Sequence, residues 1–106
     1  MAKYEKENYP ILDRSNEDFE CREREITHPY TTITVNKGCD KGMILKVVKI
    51  THCVQFCKNF AFDNGYKIFV EVVKPADRDY KKGDKYHLDT MGEDAESYLK
   101  EKYTIN

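Results

Sequence analysis

Val54-Gln55-Phe56-Cys57-Lys58-Asn59-Phe60-Ala61-Phe62-Asp63-Asn64-Gly65-Tyr66-Lys67-Ile68-Phe69-Val70-Glu71-Val72-Val73 places two apolar runs around an Asn-Gly pair. Asn-Gly in this setting is the strongest short-range hairpin signal, because both residues tolerate the positive φ of a two-residue turn. The stretch therefore predicts two antiparallel strands that reverse at Asn64-Gly65. Such a loop pairs Asp63 with Tyr66, Phe62 with Lys67, Ala61 with Ile68 and Phe60 with Phe69. It continues through Asn59 with Val70, Lys58 with Glu71, Cys57 with Val72 and Phe56 with Val73. One face then carries Phe56, Phe60, Phe62, Phe69 and Val73 around a Lys58–Glu71 ion pair. The other carries Cys57, Ala61, Ile68, Val70 and Val72. Both faces are apolar, so each needs cover from the core, from another element or from a partner.

Outward from the hairpin, the remaining segments read as follows. Residues 1–14 are expected to form a flexible N-terminal arm anchored only by Ile11-Leu12, with residues 15–106 as a single α+β domain. Residues 15–26 fit either a helix capped at Ser15 or an exposed edge strand. Tyr30 to Val35 alternates Thr with Ile and Val, the pattern of a half-buried strand. Met43 to Ile50 is apolar and β-branched, as a central strand should be. Pro75 ends the second hairpin strand because proline cannot donate to the ladder. A loop to Gly83-Asp84 follows, then a short strand over Lys85 to Asp89. Glu93, Asp94 and Glu96 ahead of Lys100 and Lys102 suit a C-terminal helix with Ala95, Tyr98 and Leu99 on its apolar stripe. The expected fold is a small β-rich α+β domain. It has about five strands in a mostly antiparallel sheet or partly open barrel, with a C-terminal helix.

The composition narrows the function classes. The 106 residues can bury one core, with 40% hydrophobic residues and a net charge of −1. Residues 1–25 and 90–106 carry a net acidic excess, whereas residues 26–89 are net basic. The first residues contain no apolar run and no stretch reaches the roughly 20 residues of a membrane helix, so a cytoplasmic protein without a membrane partner is expected. No phosphate-cradling glycine motif, nucleophile elbow or metalloprotease motif occurs, so neither a cofactor nor an enzymatic activity is expected. Cys21, Cys39, Cys53 and Cys57 supply only one close pair, at C-x-x-x-C spacing. On a strand those two sulfurs lie roughly 13 Å apart, which does not suit a structural metal. His52 and Cys53 point to opposite faces of a strand and cannot form a dyad.

Lys74 to Tyr86, with its Asp77-Arg78-Asp79-Tyr80 and Gly83-Asp84 elements, resembles a strand–turn–strand segment of ASCH-type RNA-associated β-barrels. The resemblance covers only this segment. It implies barrel geometry and carries over no functional residue.

These features lead to a non-enzymatic protein-binding module. Such a module would act as an inhibitor or adaptor on a macromolecular partner, for example a mobile-element or viral protein acting on a host nuclease. The expected contact residues are Phe56, Lys58, Phe60, Phe69, Arg78, Tyr80, Lys81 and Lys82, with a homodimer through the hairpin face as a further option. A second class is a domain binding single-stranded nucleic acid through Lys58, Lys67, Arg78, Lys81 and Lys82. A third is a small metal- or cysteine-dependent enzyme, the latter pairing Cys53 or Cys57 with His87.

Overall fold

A computed structural model describes residues 4–15, 19–76 and 80–106. Among them run β1 (Ile11–Ser15), β2 (Phe19–Ile26), β3 (Thr32–Val35), β4 (Ile44–Cys57), β5 (Ala61–Lys74), β6 (Lys85–Asp89), α1 (Ala95–Lys102) and β7 (Tyr103–Ile105). The strands form one antiparallel sheet of seven strands, not closed into a barrel. An α+β domain with a C-terminal helix is thus what the chain forms, with more strands than the sequence pattern suggests. Residues 11–14, expected within the arm, form with Ser15 the strand that flanks β2. β2 itself is an interior strand rather than a helix or an edge, because β4 pairs with its other side. The last strand, β7, pairs with β3 directly after the helix. No helix among the described residues is long and apolar enough to cross a membrane.

β4 organises the sheet. β5 runs along one of its edges for the whole length, while β3 and then β2 share the other. The hairpin register differs from the one read off the Asn-Gly signal. The reversal lies at Lys58-Asn59, where the Cys57 amide donates to the Phe60 carbonyl at 2.8 Å. Phe56 pairs with Ala61, Ile50 with Ile68, Val47 with Val70 and Leu45 with Val72. Phe60 therefore does not face Phe69, and Lys58 does not face Glu71. The physical reason is burial. A turn at Asn64-Gly65 would leave the apolar run from Ile44 to Ile50 without the run from Ile68 to Val72. The observed register joins the two, and Leu45, Ile50, Ile68, Val70 and Val72 are all at most 1% exposed.

Asn64-Gly65 has a different use, as a bulge inside β5. His52 pairs with Tyr66 and Val54 with Asp63, so Asn64 and Gly65 together face Cys53. Gly65 takes a φ of +88°, which supplies the positive dihedral that made Asn-Gly look like a turn. Two further bulges absorb Val48 and Val73, which explains why these valines are exposed within apolar strands.

The two faces of the sheet differ. On one, Ile33, Leu45, Val47, Ile50, Ile68, Val70 and Val72 pack with Met43 against Ala95 and Leu99 of α1. Each fully buried Leu, Ile or Val contributes about 1.5–3 kcal/mol relative to exposure. The helix starts at Asp94, whose carboxylate accepts from the Ser97 amide. Further along the same face, Val54 and Phe56 form a smaller cluster covered by Tyr9 and Tyr4 from the N-terminal segment. On the other face, Lys46, Lys49, Cys53, Phe62, Lys67, Phe69 and His87 follow from strand alternation and register, and among the described residues no helix covers them, since α1 packs on the first face.

Candidate functional site

The molecule is elongated, with a long axis of 46 Å. The expected contact residues fall at two places along it rather than on one patch. Phe60 and Phe69 are nine positions apart in chain on one side of the hairpin, about 30 Å at strand rise. Near the hairpin tip lie Phe56, Lys58 and Phe60. Toward the opposite end lie Phe69, Tyr80, Lys81 and Lys82. Arg78 is outside the described residues.

At the tip, Phe60 is 61% exposed and Phe62 41% exposed. Their rings stack with centroids 5.7 Å apart and planes 22° apart. Phe62 pairs with Gln55, which places it on the face without the helix. Lys58 is exposed on the turn beside them. Phe56 is not available in the same way: it is 6% exposed. Tyr9 meets it edge-on at 6.0 Å and the Lys6 ammonium sits 5.9 Å from its ring. A groove of about 480 Å³ lies between the tip and the N-terminal segment, lined by Tyr4, Lys6, Phe56, Lys58, Phe60 and Ala61 among others.

Behind the tip, a polar cluster holds the N-terminal segment down. His52 is 5% exposed. Its Nε2 lies 2.9 Å from Asp63 Oδ2 and its Nδ1 lies 2.9 Å from the Tyr9 hydroxyl. A carboxylate only accepts, so Nε2 carries the proton toward Asp63, and in the neutral ring Nδ1 accepts from Tyr9. Tyr4 donates to the same Asp63 oxygen at 3.1 Å, while the Gly65 amide donates to Oδ1 at 2.7 Å. Tyr66 stacks on the imidazole at 4.7 Å and Arg24 lies over the Tyr9 ring at 5.2 Å. Burial pushes the Tyr9 phenol up, which keeps it protonated as a donor. The order Asp–His–Tyr has the connectivity of a proton relay. The Tyr9 hydroxyl at its end is buried against His52, however, so the geometry serves cohesion between residues distant in sequence.

Partial burial raises the Asp63 carboxyl, but hydrogen bonds from Gly65, His52 and Tyr4 outweigh it and hold the group below its ordinary value. A depressed carboxyl contributes stability that is complete above its unfolded value of about 3.9 and is lost as pH falls through the folded value. Urea midpoints for the wild type are therefore expected to drop steeply below about pH 4, and less steeply for Asp63→Asn. Parallel curves for the two proteins would contradict this role.

On the helix-free face, a groove of about 550 Å³ opens beside the Asn64-Gly65 bulge. Cys21, Cys53, Asn64, Lys67, His87 and Asp89 help to line it. Lys67 pairs with Glu23 at 2.9 Å, and the Cys53 thiol donates to the same carboxylate oxygen at 3.4 Å. Burial, followed by the negative charge of Glu23, pushes the Cys53 thiol up to about 12. That environment favours a thiol, the opposite of what an activated nucleophile needs. The groove thus brings Cys53 and His87 together as lining residues without activating the sulfur. Among the described residues, no three His, Cys, Asp or Glu side chains gather to hold a metal.

His52, Asp63, Tyr9 and Phe62 were not singled out by sequence pattern as site residues. Tyr9 and His52 lie 43 positions apart, and no local pattern connects them. The one available signal was the Asn64-Gly65 pair next to Asp63, read as a turn. The comparisons add no relative to this geometry: no protein-family model matches the chain, and neither curated proteins nor solved structures yield a match.

Proposed function

We propose that this protein is a small protein-binding module, acting as an inhibitor or adaptor, and that the hairpin tip is its principal contact. The stacked, exposed Phe60–Phe62 pair carries this reading. Among the described residues, Phe60 and Phe62 are the aromatic members of the exposed large hydrophobic side chains, and they stack on one another at the outer end of the β4–β5 hairpin. Aromatic side chains at such positions are the usual anchors of interfaces, and each hot-spot anchor is worth about 2 kcal/mol or more. Lys58 on the turn supplies a cation beside the rings. The Cys53 environment, which disfavours thiolate, supports a binding role over a cysteine-dependent reaction.

The test compares the immobilised wild type with the Phe60→Ser, Phe62→Ser double variant in nuclease-treated native lysate. A protein retained by the wild type is expected to bind the variant at least about 30-fold more weakly. Because both rings are exposed, thermal stability should change by no more than about 0.5 kcal/mol. Equal retention by the two proteins, or retention that depends on intact nucleic acid, would argue against the tip.

A further inference from the structure

We infer that the end of the sheet opposite the tip binds single-stranded nucleic acid on its helix-free face. Phe69 lies between Lys49 on β4 and His87 on β6, abreast in the sheet. The Phe69 and His87 rings are 5.6 Å apart, and the Lys49 ammonium sits 4.7 Å from the Phe69 centroid. His87 is exposed and Phe69 half-buried. In the next row toward the sheet end, Lys46, Glu71 and Lys85 lie abreast, with Lys85 4.0 Å from Glu71. Lys74 ends β5, and Lys81 and Lys82 occupy the turn that Gly83 and Asp84 fasten to Val72. Lys46, Lys74, Lys81, Lys82 and Lys85 are all exposed.

Among the described residues, Lys46, Lys49, Lys74, Lys81, Lys82 and Lys85 gather at this end around the carboxylates of Glu71 and Asp84, and Asp40, in the turn before β4, lies near enough to act on Tyr86. Asp84 is already engaged by the Lys81 amide at 2.8 Å. The chain as a whole carries −1, so this positive patch is local. Glu25 and Asp89 lie one row further in, abreast of Thr51 and Lys67.

Cations alone would suit any polyanion. Rings among the cations select a strand whose bases can stack, with the lysines left for its phosphates. A base on Phe69 takes the place of Lys49, whose ammonium is then released to a phosphate. A duplex keeps its bases paired and cannot use the rings. The inference is independent of the tip, which lies about 30 Å away along the hairpin.

Fluorescence anisotropy with labelled oligouridylate and oligothymidylate of about ten nucleotides tests it. Saturable binding is expected, weakening about 20- to 50-fold between about 50 and about 200 mM salt for three or four phosphate contacts. The triple variant Lys46→Gln, Lys49→Gln, Lys85→Gln should flatten that salt dependence. Phe69→Leu, which keeps an apolar side chain but removes the ring, should weaken binding about tenfold with the salt slope unchanged. Phe60→Ser, Phe62→Ser should bind as the wild type does. Melting curves establish that each variant is folded. No saturable binding at about 0.1 mM protein in low salt would overturn the inference. So would a Phe69→Leu variant of undiminished affinity together with equal competition by a polyglutamate peptide, which would mark the patch as a site for acidic protein.

Discussion

Gly65→Ala is expected to lower the unfolding free energy by about 2–5 kcal/mol, among the largest effects of any single methyl added to this chain. Two penalties combine. Gly65 holds a φ of +88°, where a residue with a Cβ is strained by about 1–3 kcal/mol. The added carbon would also sit 2.5 Å from the Gly92 amide nitrogen, 2.7 Å from Thr90 Oγ1 and 2.9 Å from Gly92 Cα. Two of those atoms are backbone and cannot rotate away. Thr90 is itself fixed, because its hydroxyl accepts from the Tyr66 amide at 2.9 Å and donates to the Glu93 carbonyl at 2.7 Å. The clash therefore threatens the segment that leads into α1 as well as the bulge. Ala at Gly83, which also has positive φ but open space around it, should cost only the backbone strain. Urea denaturation of the two variants separates strain from crowding. Equal losses at both positions would mean that the Gly65–Gly92 contact is not as close as described.

His52→Ala should cost about 3–4 kcal/mol, because it breaks a network at its centre. The Tyr9 hydroxyl would be left buried without its partner, a penalty of about 1–3 kcal/mol. The charge-assisted bond to Asp63 and the stacking contact with Tyr66 would be lost as well. Tyr9→Phe removes only the hydroxyl and should cost about 1 kcal/mol. The larger variant should also release the N-terminal segment, since Tyr9 and Tyr4 cover Val54 and Phe56 through this cluster. Limited proteolysis between residues 4 and 10 reads that release directly. A His52→Ala protein within 1 kcal/mol of wild type, still protected there, would show the cluster to be dispensable.

Much of the fold was legible because the relevant signals are local. Pro75 ends β5 at Lys74, and Gly83-Asp84 precedes a strand over Lys85–Asp89. Asp94 caps the helix, and Ala95 and Leu99 are its buried residues. The Thr alternation marks β3 at Thr32–Val35. The hairpin turn was not legible in the same way. Lys58-Asn59 and Asn64-Gly65 both allow a reversal, and the choice is made by distant residues. Only the match between Ile44–Ile50 and Ile68–Lys74 decides it. The same displacement moved the site: with the turn at Lys58-Asn59, Phe60 and Phe62 come to the tip, and Phe69 goes to the opposite end. The His52 cluster depends on pairing across the whole sheet and on a tyrosine far earlier in the chain, so residue types alone could not reveal it.

The hairpin register underlies both proposed surfaces, and methyl and aromatic nuclear Overhauser contacts in solution test it most directly. Contacts of Ile50 with Ile68, Val47 with Val70 and Leu45 with Val72 are expected, along with a Phe60–Phe62 ring contact and none between Phe60 and Phe69. Contacts of Phe60 with Phe69 and of Cys57 with Val72 would instead place the turn at Asn64-Gly65 and contradict both surfaces.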